Sequence, residues 1–259
     1  MTQVWLRIWR VPALLAVVLA GLVLALCARA TGGSGWYLRP VGQGLILTWM
    51  RALNRVVGLR VWCLCQPLSA PTLIVANHIS WLDVPALASI LPMTFVAKAD
   101  VRQWPLLGRL AGLAGTQFLD RASLAAVRPL LDDVAARLRA GHSCAVFPEG
   151  TSTAGDRLRP FFPALFQAAV VAGCPLQPVA IEYGHGNAPD PLAPFVGEQG
   201  FVAHLWALLG RPRTDVTLSF LAPIDARGSD RRSLARRAHV SIEQWLFTDL
   251  APLRKVVGS

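Results

Sequence analysis

Apolar residues recur along the chain with two rhythms, and the change from one to the other marks the elements. From Thr72 onward, short β-branched or apolar runs predict strands at 73–76, 94–97, 116–119, 144–147, 177–181 and 216–221. Stretches with helical spacing lie between them, at 84–90, 105–113, 123–140, 164–172, 199–209 and 231–247. Ser123 is placed to cap one helix, and Ser229 or Asp230 another. Residues 184–194, rich in Gly, Pro, Asn and Asp, read as a loop. Strands alternating with helices in this order predict an α/β fold, a central mostly parallel sheet flanked by helices.

Upstream of Thr72 the pattern is different. Residues 11–28 carry no charge and are rich in Leu, Val and Ala. As a helix they would be about 27 Å long, enough to cross a hydrocarbon core. Arg7 and Arg10 precede this run, as in a cleaved secretory leader. The length of the run and a second membrane-like stretch after it favour a retained anchor. Thr31-Gly32-Gly33-Ser34-Gly35 reads as a flexible break. Residues 45–57 then show amphipathic helical spacing, with Arg51, Asn54 and Arg55 among Leu, Ile, Trp and Val. Such a helix suits the plane of a membrane interface or the flank of a globular domain. The expected organisation is a membrane-anchoring helical segment over 1–60 and a catalytic domain over 61–259.

Composition sharpens the membrane expectation. Hydrophobic residues make up 54% and charged residues 15%, which is below the usual quarter. The net charge is +10, and no Asp or Glu precedes Asp83, whereas seven arginines do. Basic residues flanking apolar segments point to a bilayer with anionic lipids, and no nucleic-acid motif accompanies the charge. The five cysteines are odd in number and lack metal-knuckle spacing, so a reducing compartment without disulfides or a structural metal is expected.

The chemistry centres on Asn77-His78-Ile79-Ser80-Trp81-Leu82-Asp83, where the first predicted strand hands over to a helix. Open α/β sheets place their chemistry at that edge. A turn followed by one helical turn brings Asp83 back to the His78 ring, where it would fix the tautomer and favour the imidazolium. A histidine beside a helix start with an aspartate in the first turn accounts for the pair equally well. Three further stretches end at strand edges: Gly115 to Arg121, Phe147 to Ser152, and Pro175 to Ile181. His142, His185, His204 and His239 read as surface or core residues.

Taken in order, these stretches resemble the four blocks of the glycerolipid acyltransferase superfamily, specifically the 1-acyl-sn-glycerol-3-phosphate acyltransferases. The resemblance runs from about Thr72 to Ile181. Lys98-Ala99-Asp100 and Trp104-Pro105-Leu106-Leu107-Gly108 look like the lead into the second block. It implies that His78 is the general base and that Asp83 orients it, with direct attack of an acceptor hydroxyl on a fatty acyl thioester. Lys98 and Arg121 are implied for the acceptor phosphate, and Glu149, Gly150, Thr151 and Ser152 for acceptor binding and site organisation. Many members carry Arg where this chain has Ser152; Arg157 and Arg159 are the nearby replacements.

The implied reaction acylates 1-acyl-sn-glycerol 3-phosphate to phosphatidic acid, with acyl-CoA or acyl carrier protein as donor and no cofactor or metal. The Ser152 departure brings in other lysolipids, such as lyso-ornithine lipid, as acceptor. The expected location is a bacterial inner membrane, with the catalytic domain facing the cytoplasm. The anchor is either a single span or a shallow two-helix device. Competing readings are an acyl-thioester hydrolase, in which the same pair activates water, and a non-catalytic lipid-binding membrane protein.

Overall fold

The computed structural model describes residues 2–33, 35–104, 107–119, 124–185 and 188–248. Among these, eight strands form: β1 (Leu59–Leu64), β2 (Leu73–Ala76), β3 (Met93–Lys98), β4 (Gln117–Leu119), β5 (Ser143–Val146), β6 (Leu176–His185), β7 (Ala188–Pro189) and β8 (Thr214–Phe220). The helices are α1 (Thr2–Gly32), α2 (Pro40–Val57), α3 (Asp83–Ala88), α4 (Leu107–Leu113), α5 (Leu124–Arg139), α6 (Gln167–Ala172), α7 (Phe201–Leu209) and α8 (Arg231–Phe247).

The sheet order is β1-β8-β6-β2-β5-β3-β4, with β7 paired to β6. From β6 to β4 all neighbours are parallel, while β8 is antiparallel to β6 and carries β1 parallel to itself. The carboxyl ends of β2 and β5 are therefore adjacent, and the segments that follow them meet. Strand β2 is buried throughout, which its unbroken Leu-Ile-Val-Ala sequence requires. Leu73 and Val75 enter one core with α5, α6 and α8, while Ile74 and Ala76 enter the other with α2 and α3. Burying each large apolar side chain of this kind stabilises the fold by about 1.5–3 kcal/mol.

All six predicted strands form, β2 with its expected bounds and the other five with shifted ends. Strand β6 runs four residues beyond its predicted end, into the stretch read as a loop, because it turns back through the β7 hairpin at Gly184 and Pro189. Strand β1 was not expected. It lies at the sheet edge and turns apolar Trp62 and Cys63 outward, so no polar alternation announces it. Helix α2 begins at Pro40 rather than Leu45, with Gly42 and Gly44 obscuring its first turns. A Cβ on Gly42 would lie 2.1 Å from the Trp36 carbonyl oxygen. Asp230, not Ser229, caps α8, accepting from the amides of Arg232 and Ser233 at 2.8 and 3.1 Å. Pro105, Leu106 and Ser123 lie outside the described residues.

Helix α1 extends past the uncharged run at both ends and is long and apolar enough to cross a membrane. The break after it is short, since a 3-10 turn with buried Trp36 begins only four residues beyond Gly32. One face of α1 packs on α2, α4 and α7, with Arg10, Val18, Gly21 and Ala25 buried. The Trp49 indole donates to the Val17 carbonyl at 2.8 Å. The Arg10 guanidinium donates to the carbonyls of Arg211 and Pro212, just past the end of α7, where a cation is favoured. The other face exposes Val4, Trp5, Ile8, Trp9, Leu15, Leu19, Val23 and Leu26.

Candidate active site

His78 follows β2 directly, and Asp83 opens α3. The turn between them is closed by the Ser80 carbonyl, which accepts from the Asp83 amide at 3.0 Å. Asp83 reaches back over this turn. Its Oδ2 accepts from the amides of Ile79 and Ser80 at 2.8 and 3.0 Å, and lies 2.7 Å from His78 Nδ1. Asp83 is fully buried, whereas the His78 side chain is 23% exposed. An ionised carboxylate only accepts, so Nδ1 carries the proton and Nε2 keeps its lone pair. The ring also stacks on Phe147, with centroids 4.3 Å apart. The tautomer and the ring plane are thus both fixed, and the free ring nitrogen is the one suited to accept a proton.

The segment after β5 organises the backbone around this pair. Glu149 is buried, and both its oxygens are engaged. Oε1 accepts from the His78 amide at 2.7 Å and Oε2 from the Arg159 amide at 2.9 Å. Burial pushes its carboxyl pKa up, and the two amides oppose the shift. Gly150 adopts a φ of +78°, a left-handed conformation that explains a glycine there. The Thr153 amide donates to the His78 carbonyl at 2.9 Å, so the loop after β5 grips His78 on both sides of its backbone.

Strand β6 completes the site. Asn77 bonds both ways with Ile181, donating to its carbonyl at 3.0 Å and accepting from its amide at 2.7 Å. Two residues further on, the buried Tyr183 hydroxyl donates to Asp83 Oδ1 at 2.7 Å. Tyr183 was not anticipated from sequence. Its signal is its position on the same strand face as Ile181, at the carboxyl end of a strand beside β2.

The other expected residues are placed as follows. Lys98 ends β3, two strands from β2; it is exposed and ion-paired with Asp100. Thr151 is exposed, and the half-buried Ser152 hydroxyl donates to the Phe195 carbonyl. Arg121 lies outside the described residues. Among the described residues no group of three or more potential metal-binding side chains occurs. His204 is a buried residue with both nitrogens satisfied, as read from sequence: Nδ1 accepts from the Trp81 indole at 3.0 Å, and Nε2 donates to the Leu192 carbonyl at 2.8 Å.

A family model described as Acyltransferase matches residues 64–182, a span that holds Asn77, His78, Asp83 and Glu149 and ends one residue short of Tyr183. The lyso-ornithine lipid O-acyltransferase of Pseudomonas aeruginosa is 40% identical over 243 residues, covering 92% of this chain and 93% of that protein. The chain belongs to the glycerolipid acyltransferase superfamily. A 1-acyl-sn-glycerol-3-phosphate acyltransferase of Neisseria gonorrhoeae is 33% identical to this acyltransferase over 178 residues, covering 68% of this chain and 70% of the relative. The crystal structure of the Thermotoga maritima 1-acyl-sn-glycerophosphate acyltransferase, PlsC, shares its fold. The TM-score is 0.66 at 19% identity, over 95% of this chain and 96% of the other. The α/β architecture of the acyltransferase, with its mostly parallel sheet and apolar N-terminal helix, matches that of PlsC.

Proposed function

We propose that the protein transfers a fatty acyl group from a thioester to the free hydroxyl of a lysolipid, with His78 as general base. The observation that carries this reading is the 2.7 Å contact between His78 Nδ1 and buried Asp83, which leaves Nε2 as the proton acceptor. Nε2 takes the hydroxyl proton as the oxygen attacks the thioester carbonyl. The tetrahedral intermediate collapses with cleavage of the carbon–sulfur bond, and the thiolate recovers the proton from His78. Asp83 stabilises the transient imidazolium. No acyl-enzyme and no cofactor enter this scheme; acyl-CoA or acyl carrier protein serves as the donor substrate.

For the acceptor, lyso-ornithine lipid is the reading we favour. Ser152 occupies the position where many family members carry Arg, and its hydroxyl is spent on the Phe195 carbonyl. The named activity of the Pseudomonas relative agrees with this assignment. The second reading, 1-acyl-sn-glycerol 3-phosphate, draws support from exposed Arg157 and Arg159 on the same loop and from the Neisseria relative. Arg121 and Lys98 are assigned to the acceptor head group under that reading.

The apolar outer face of α1, with α2 beside it, suits a shallow seat in the cytoplasmic leaflet of the inner membrane. Anionic lipids there would meet the basic N-terminal segment. The burial of Arg10 against the globular part supports this two-helix arrangement over a single perpendicular span. The catalytic domain over 61–259 would then face lysolipid within the bilayer surface.

The test is transfer from labelled oleoyl-CoA by membranes containing the protein, with each lysolipid supplied separately. Product from lyso-ornithine lipid alone is expected. Product from 1-acyl-sn-glycerol 3-phosphate alone would move the enzyme to the second reading, and free fatty acid in place of either product would favour the hydrolase.

A further inference from the structure

The Asp83 carboxylate divides its two oxygens unequally. Oδ2 is served wholly by its own segment: the His78 ring and the amides of Ile79 and Ser80. Oδ1 is served from a different strand, by the Tyr183 hydroxyl of β6 at 2.7 Å, across 100 residues of sequence. Asp83 is 0% exposed and Tyr183 6% exposed, so water does not stand in for either partner.

We propose that Tyr183 is a positioning residue for acyl transfer, its hydroxyl fixing the orientation and the basicity of the carboxylate that holds His78. This rests on the reading of His78 as general base. A hydrogen bond to Oδ1 draws negative charge toward that oxygen and away from Oδ2, the oxygen facing the imidazole. Tyr183 therefore tempers how strongly Asp83 stabilises the imidazolium, while holding the carboxylate plane against β6. The phenol can act only as a donor here, because burial first, and then the neighbouring Asp83 charge, push its pKa well above the ordinary value.

The charged and titratable groups around this unit are few. His78 and Asp83 come from the β2–α3 segment, and Glu149 from the loop after β5, with its oxygens on the His78 and Arg159 amides. Strand β6 contributes Tyr183. The loop after β7 contributes Asp190, which is paired with Arg211 at 2.7 Å and whose amide donates to the Tyr183 carbonyl at 3.0 Å. Only the Tyr183 hydroxyl contacts Oδ1 among the described residues.

The experiment compares the pH dependence of kcat for the wild type, Tyr183→Phe and His78→Ala. The Phe variant retains the ring that fills the core and loses only the hydroxyl. A fall in kcat of about tenfold is expected, the scale of one charge-assisted hydrogen bond, with little change in KM for the lysolipid. The midpoint of the acid limb should rise, because an untempered carboxylate holds the His78 proton more tightly. The opposite perturbation comes from 3-fluorotyrosine, a stronger donor. The chain has two tyrosines, so a Tyr37→Phe background confines the label to position 183. The acid limb should then move to lower pH.

Opposite movements of the midpoint support the proposal, since a side chain that merely fills space would not produce them. An unchanged midpoint in both proteins, or movement of both in one direction, would overturn it. If Tyr183→Phe does not fold, the fluorotyrosine protein alone decides: a lower midpoint supports the proposal and an unmoved one overturns it. Full activity in His78→Ala would instead overturn the general-base reading on which the proposal rests.

Discussion

Glu149 holds the backbone of His78 rather than its ring. Its Oε1 accepts the His78 amide at 2.7 Å, and its Oε2 accepts the Arg159 amide ten residues along the same loop. The carboxylate therefore ties the loop after β5 to the residue that follows β2. Two adjacent strands are thus stitched at the carboxyl edge of the sheet by one buried carboxyl group, and both of its oxygens are spent on structure.

Replacing Glu149 with Gln should expose this dependence. The amide offers one acceptor where two are needed, and its NH2 faces a backbone N–H, so a loss of about 1–3 kcal/mol is expected at neutral pH. Burial raises the Glu149 pKa in the folded protein above its ordinary 4.5. The folded state thus binds that proton more tightly than the unfolded chain. The stability linked to this titration is present below the unfolded pKa and is lost as pH rises through the folded one. The difference between wild type and Glu149→Gln should accordingly shrink as pH rises above the ordinary carboxyl value of 4.5 in urea unfolding. A difference that grows with pH would contradict the assignment.

Asp83→Asn should remove nearly all activity while leaving a folded protein. The amide cannot accept at both ends, and the His78 tautomer is no longer fixed with Nε2 free. In the serine-protease triad the corresponding change costs about 10⁴ in kcat, and a loss of roughly that order is expected here. Steady-state transfer with saturating lysolipid measures it. A fall of less than about tenfold would show that orientation of the ring by Asp83 is dispensable.

Arg10→Ala should loosen α1 from the globular part. The buried guanidinium serves carbonyls at the end of α7, so its removal is expected to cost about 2–3 kcal/mol. Thermal unfolding in detergent should show a lower midpoint. Arg10→Lys should recover only part of it, since one ammonium cannot match the guanidinium fork.

Cysteine labelling checks the packing of the central strands. Burial pushes the Cys144 thiol up to about 11, and the residue lies within β5. Only the thiolate reacts appreciably, so iodoacetamide at neutral pH should spare Cys144 in the native protein and modify it after unfolding. Exposed Cys65, outside α1, should react without denaturant. Rapid native labelling of Cys144 would show that β5 is not packed as described.

The sequence carried the buried half of this molecule well. Strands such as β2 and β5 are apolar on both faces, and the chain cannot hide that pattern. His78 and Asp83 were legible because local geometry joins them across five residues. Tyr183 was not, because its partner lies 100 residues away and only the β2–β6 register brings them together. Strand β1 escaped for another reason, since an edge strand with apolar outward residues has no alternation to read. Similarly, the charges before the apolar run suggested a leader or an anchor, and only the fold reveals Arg10 as a clasp on α7. Lys98, expected near an acceptor phosphate, is paired with Asp100, a local contact that spacing could not distinguish from a ligand role.

The most direct test of the account is His78→Ala, purified in detergent and assayed for lysolipid-dependent release of free thiol from acyl-CoA. The His78 side chain is 23% exposed, and without it Asp83 keeps the Ile79, Ser80 and Tyr183 donors, so circular dichroism should match the wild type. Loss of the general base predicts a rate lower by a factor of about 10² to 10⁴. Lysolipid-dependent release within a fewfold of wild type would contradict the central claim that His78 takes the proton from the acceptor hydroxyl.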